Sequence, residues 1–265
     1  MEKLDRYARP LRAHLMQCWV RSWTPWVLLV LMLGGSLLKE LELVPETYLS
    51  NKRNLLNVCF VKLSWAWTFW LLLPFIGVTN YHVTQNALGV LRRLSHLLVG
   101  TIIWYICTAA FMHIENLTGN CYKSPALDVL HQEHLNKQHC HQGGGFWHGF
   151  DISGHSFLLS YCALMIVEEM AVLRGLYTDR NPRLHAVVNA LVLALSFLVL
   201  IWVSMFFSTA LYFHDFSQKL FGALIGLSAW YGTYKFWYLK PFSPGLPPQS
   251  ACLTSKNPAS YQKTW

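Results

Sequence analysis

The chain has 265 residues, 54% of them hydrophobic and only 13% charged. Soluble domains carry about a quarter charged residues, so this chain lacks the means to cover a water-facing surface. The net charge of +8 raises nucleic acid as a partner, but the basic residues lie between apolar runs and form no continuous stripe, which gives them a topological role instead.

Aromatic residues are abundant, with 15 Phe, 12 Tyr and 12 Trp, as suits side chains that gather at membrane interfaces. Residues 1–23 are basic, with Lys3, Arg6, Arg9, Arg12 and Arg21, and carry Trp19 and Trp23. The apolar stretch from Pro25 to Leu38, broken by Gly34-Gly35-Ser36, has the outline of a cleaved leader. Five further apolar stretches follow, which favours an uncleaved first span. A polar loop over 39–57 leads to a second span, Val58 to Val78, with a kink expected at Pro74 and Lys62 near enough to one end to snorkel. After a loop holding His82, Arg92 and Arg93 comes a third span, Leu97 to Ile114. The polar segment 115–153 precedes a fourth span, His155 to Leu173. The fifth runs from Ala186 to Phe207 and the sixth from Lys219 to Trp237. Residues 241–265 are rich in Pro and Ser and read as a disordered tail.

The expectation is an all-α polytopic membrane protein, with six transmembrane helices in a single domain over 1–240. Of the 21 Lys and Arg, fourteen fall on one face and seven on the other. The positive-inside rule then puts both termini in the cytosol. It leaves 39–57, 115–153 and 208–218 on the lumenal side. The long loop holds the glycosylation sequon Asn116-Leu117-Thr118. It also holds Cys121 and Cys140, which an oxidising compartment allows to pair, although spacing alone does not fix their geometry.

Within that loop, Gly143 to Gly145 let the backbone bend, and Asp151-Ile152-Ser153-Gly154-His155-Ser156 leads into an apolar helix with Ser153 near its N-cap. A helix start offers unpaired N–H groups and a positive dipole end to a phosphate, with the His155 imidazole beside it. The same loop also reads as a hinge with an interfacial histidine. The topology puts His214, between spans five and six, on the same face. Two imidazoles at one depth can divide phosphoester cleavage, one attacking phosphorus and the other protonating the leaving oxygen. His131, His134, His139, Cys140, His141 and His148 offer donors for zinc, but flexible polar loops accumulate His, and the reading is no metal. Glu168 and Glu169 read as an interfacial pair neutralised by Arg174.

Ser153-Gly154-His155 resembles the second motif of lipid phosphatases of the phosphatidic acid phosphatase type 2 superfamily, and Ser208 to His214 sits where that superfamily has its third. The stretches 48–54, 64–68, 74–76, 79–82, 146–159, 167–170, 212–214 and 242–248 resemble the fat storage-inducing transmembrane protein family over nearly all the chain. The resemblance implies a helical bundle like that of the lipid phosphatases, in an endoplasmic reticulum enzyme that hydrolyses fatty acyl-coenzyme A. Its products would be acyl 4′-phosphopantetheine and adenosine 3′,5′-bisphosphate, with no cofactor. It also implies links to lipid-droplet formation and a neutral-lipid partner. By this analogy His214 is the nucleophile and His155 the general acid, and Ser153 and Gly154 supply N–H groups. Three departures stand out. Ser208 replaces an Arg, Gln218 replaces an Asp, and the superfamily's first motif is missing. Lys52, Arg53 and Lys219 lie on the correct face to replace the phosphate clamp, and Asp215 or Asp151 to orient an imidazole. The rival reading is a non-enzymatic protein that binds triacylglycerol in its apolar spans.

Overall fold

The computed structural model describes residues 2–123, 130–132, 136–178 and 181–248. Five helical segments are long and apolar enough to cross a membrane: Cys18–Glu40, Leu55–Thr84, Ala87–Thr118, Gly154–Gly175 and Pro182–Tyr212. In chain order the helices are α1 (Glu2–Leu15), α2 (Cys18–Glu40), α3 (Leu55–Cys59), α4 (Ser64–Thr84), α5 (Ala87–Thr118), α6 (Lys137–Gln142), α7 (Gly154–Glu169), α8 (Pro182–Tyr212) and α9 (Phe216–Trp230). The expected all-α polytopic architecture is therefore present. The stretch read as a sixth span is α9, 15 residues long, continued by a π-helical turn (Tyr231–Phe236) and a 3-10 turn (Trp237–Leu239).

Local chemistry sets the ends of the helices. The Asn86 side chain accepts from the N–H groups of Leu88 and Gly89, so α5 starts ten residues before the span read from Leu97. Arg92 and Arg93 thus lie in a helix, where a loop was expected. Asn181 caps α8 through the Leu184 N–H, with Pro182 in the first turn, where the lack of an N–H costs nothing. The basic segment before the first span forms α1, whose Asp5 meets His185 at 2.8 Å and Asn189 at 3.2 Å on α8. The bond to His185 and the nearby Arg9 hold the Asp5 carboxyl below its ordinary value.

Helix α7 is the hub. Nearly all of it is buried, which is why its apolar character runs all round rather than along one stripe. It packs against α2, α4, α8 and α9. At its far end Glu168 is held by Arg21 at 2.6 Å and Lys235 at 2.5 Å, and Glu169 by Arg93 at 2.6 Å and the Tyr234 hydroxyl at 2.7 Å. Arg174 adds charge near Glu168 while its Nε donates to the Met16 carbonyl. Neutralisation therefore comes mostly from α2, α5 and the turn after α9, because buried carboxylates need direct partners. Arg92 donates to the carbonyls of Ser243 and Pro241 and Arg93 to that of Gly245. Residues 241–248, read as the start of a disordered tail, are thereby strapped to α5; 249–265 lie outside the described residues.

Between α5 and α7 a small antiparallel sheet has β1 (Asn120–Tyr122) flanked by β2 (Leu130–Gln132) and β3 (Phe146–His148). Cys121 and Cys140 form a disulfide with a Cα separation of 5.7 Å. A Cβ at Gly145 would lie 2.5 Å from the Cys121 sulfur, so only glycine lets the chain pass over the bridge. Asn116 is exposed in the last turn of α5. Cys140→Ser is expected to destabilise this hairpin by about 3 kcal/mol, from the lost loop constraint, read as faster proteolysis between residues 119 and 148.

Candidate active site

Ser153 caps α7: its buried Oγ accepts from the Ser156 N–H at 3.3 Å and the Ser156 hydroxyl at 3.0 Å. Its own N–H donates to the Gln218 carbonyl at 3.1 Å, so the loop before α7 is tied to α9. The two helices cross closely. A Cβ at Gly222 would stand 2.4 Å from the Ser153 carbonyl oxygen, and one at Gly226 would stand 2.3 Å from the Ser160 hydroxyl. This is the small-xxx-small spacing that lets membrane helices approach.

His214 lies in the short link between α8 and α9 with φ +51°, a region that non-glycine residues enter infrequently. Two lysines hold the link. Lys39 Nζ donates to the His214 carbonyl at 2.6 Å, and Lys219 Nζ donates to the Ala210 carbonyl at 2.8 Å. His214 Nδ1 is 3.3 Å from Gln218 Oε1 and 3.6 Å from Asp151 Oδ2.

His155 and His214 line one cavity of about 600 Å³. Lys52, Arg53 and Lys62 give its lining positive charge, and Asn57, Asp151, Tyr212 and Phe213 complete it. His155 feels the charges of His214, Lys62 and Lys52. The loop carrying Lys52 and Arg53 is set by its asparagines: Asn54 Oδ1 accepts from the Asn57 N–H at 2.7 Å, and Asn57 Nδ2 donates to the Lys52 carbonyl at 2.6 Å.

The structure therefore brings together His155, His214, Lys52, Arg53 and Asp151. Lys219 is fully buried with its ammonium on a backbone carbonyl, and it does not line the cavity. Asp215 sits at the N-cap of α9. The Ser153 N–H is taken by Gln218, which leaves Gly154 and His155 at the open start of α7. Of the histidine loop cluster, Cys140 is committed to the disulfide and His134 lies outside the described residues. Among the described residues no three His, Cys, Asp or Glu are grouped to hold a metal. Sequence reasoning missed Lys62, Lys39 and the role of Gln218. Lys62 carried a signal, being close to one end of an apolar span; Lys39 and Gln218 carried none.

A cavity lined by two imidazoles and three cations can bind an anionic phosphate and exchange a group at it. No solved structure matches the chain. The chain is 64% identical over 263 residues to the acyl-coenzyme A diphosphatase FITM2 of Mus musculus, covering 99% of this chain and 100% of that protein. It is 63% identical to the acyl-coenzyme A diphosphatase FITM2 of Homo sapiens with the same coverage. It is 34% identical to the fat storage-inducing transmembrane protein 1 of Homo sapiens, over 87% of this chain and 78% of that protein. The family profile described as fat storage-inducing transmembrane protein matches residues 45–194 and 174–234. The chain belongs to the fat storage-inducing transmembrane protein family.

Proposed function

We propose that this chain is an acyl-coenzyme A diphosphatase that works through a histidine pair. The observation that carries the reading is that His155, at the start of α7, and His214, in the link between α8 and α9, line one cavity together with Lys52, Arg53 and Lys62. His214 Nε2 attacks one phosphorus of the diphosphate, and the bond from that phosphorus to the bridging oxygen breaks. His155 protonates the departing oxygen. Water, deprotonated by His155, then attacks the phosphorus held on His214 and frees the imidazole. The products are acyl 4′-phosphopantetheine and adenosine 3′,5′-bisphosphate. Lys52, Arg53 and Lys62 neutralise the phosphate oxygens, together with the N–H groups at the start of α7. Asp151 assists in orienting His214.

Six spans with both termini cytosolic would open the cavity to the lumen of the endoplasmic reticulum. The fourteen-to-seven charge division supports this orientation. So does the Cys121–Cys140 disulfide in the loop that leads to His155, since disulfides persist in oxidising compartments. The acyl chain would lie among the apolar helices. A second reading, binding of triacylglycerol or another neutral lipid, is favoured by an apolar groove of about 500 Å³ lined by Leu73, Pro74, Gly77, Val78, Leu94 and Leu184, with Tyr81, His82 and Asn181.

The test is to incubate the detergent-purified protein with a long-chain acyl-coenzyme A and follow adenosine 3′,5′-bisphosphate by mass spectrometry. Release is expected, and it is expected to persist in EDTA. Inhibition by EDTA would overturn the histidine mechanism, and absence of release would leave the neutral-lipid reading alone.

A further inference from the structure

Gln218 is almost fully buried and touches both loops of the cavity. Its backbone carbonyl accepts from the Ser153 N–H, two residues before His155. Its side-chain Oε1 accepts from the Asp215 N–H at 3.3 Å and faces His214 Nδ1 at 3.3 Å. A backbone N–H only donates, so the atom facing it is the amide oxygen, and the amide orientation is settled by its neighbours. An oxygen there has no proton to give, so His214 Nδ1 carries one. The lone pair is then on Nε2.

Resting on the histidine reading above, we propose that Gln218 is a positioning residue that selects Nε2 of His214 as the attacking atom and couples the two histidine loops. Among the described residues, the charged groups around His214 are Asp151 from the loop before α7, Lys39 from α2 on its carbonyl, Asp215 beside it, and His155, Lys52, Arg53 and Lys62 in the same cavity. Among the described residues only Asp151 can share the work at Nδ1, and its carboxylate is half exposed at 3.6 Å.

Two variants test this. Gln218→Leu removes the acceptor, and Gln218→Glu keeps an oxygen for both donors while adding a negative charge. In Gln218→Leu, kcat is expected to fall on the order of 100-fold with KM unchanged, because the imidazole loses its tautomer preference. In Gln218→Glu, turnover persists. The added carboxylate favours the imidazolium, so the acidic limb of the pH–rate profile moves up by about one unit. A residue serving only as a helix cap would lower the melting temperature of Gln218→Leu and leave its kcat in place. An unmoved limb in Gln218→Glu, or wild-type kcat in Gln218→Leu, overturns the inference while His214→Ala remains inactive. Normal turnover in His214→Ala would instead overturn the histidine reading itself.

Discussion

His214→Ala is expected to lose acyl-coenzyme A diphosphatase turnover by about 10⁴-fold or more, since removing an attacking group leaves only what binding and electrostatics supply. His155→Ala should behave differently. The departing group is a phosphate, which leaves without much help, so loss of the general acid slows the first step by about 10²-fold, the lower end of such effects. The second step needs His155 to activate water, so the phosphorus stays on His214. A stoichiometric, acid-labile adduct is expected in His155→Ala, and none in the double variant. The readout is a single-turnover experiment with labelled acyl-coenzyme A, quenched in base. Steady turnover without an adduct in His155→Ala would refute the covalent route.

Gly222→Val is expected to unseat the site from outside it. Any side chain there drives a carbon onto the Ser153 carbonyl, 2.4 Å from the nearest atom of that group. Backbone cannot yield as a flexible side chain does, so α9 must move away from α7. Overpacking of this kind costs about 1–3 kcal/mol or more. The displacement also breaks the bond from Ser153 to Gln218. Turnover is expected to fall at least about 100-fold, as misplacement of catalytic groups by an ångström does, with a lower melting temperature in detergent. Gly34→Ala is the control, because its Cβ would meet nothing within 4 Å and alanine suits a helix better. Equal behaviour of the two variants would show that the crossing does not position the histidines.

Hydropathy carried the architecture: the apolar runs of α2, α4, α5, α7 and α8 were legible, and His155 and His214, singled out as a pair, line one cavity. The helix ends were less legible. Helix α5 starts at the Asn86 cap and carries Arg92 and Arg93; Arg93 meets Glu169 across the bundle, and no local pattern announces a partner 76 positions away. Glu168 shows the same limit, since its Arg21 and Lys235 come from α2 and the turn after α9. Lys219 looked like a phosphate ligand by its side of the membrane, but the end of α8 claimed its ammonium for an unpaired carbonyl. Gly222 and Gly226 were readable as a close-approach motif at a spacing of four, and here the signal was present without being used.

The strap at residues 241–248 bears on how truncations are interpreted. Arg93 grips Glu169 with one nitrogen and the Gly245 carbonyl with another. A chain cut at residue 240 strips that guanidinium of half its support beside a buried carboxylate. Deletions ending there report on whether the bundle assembles, so a trafficking defect in such a fragment is no evidence for a sorting signal.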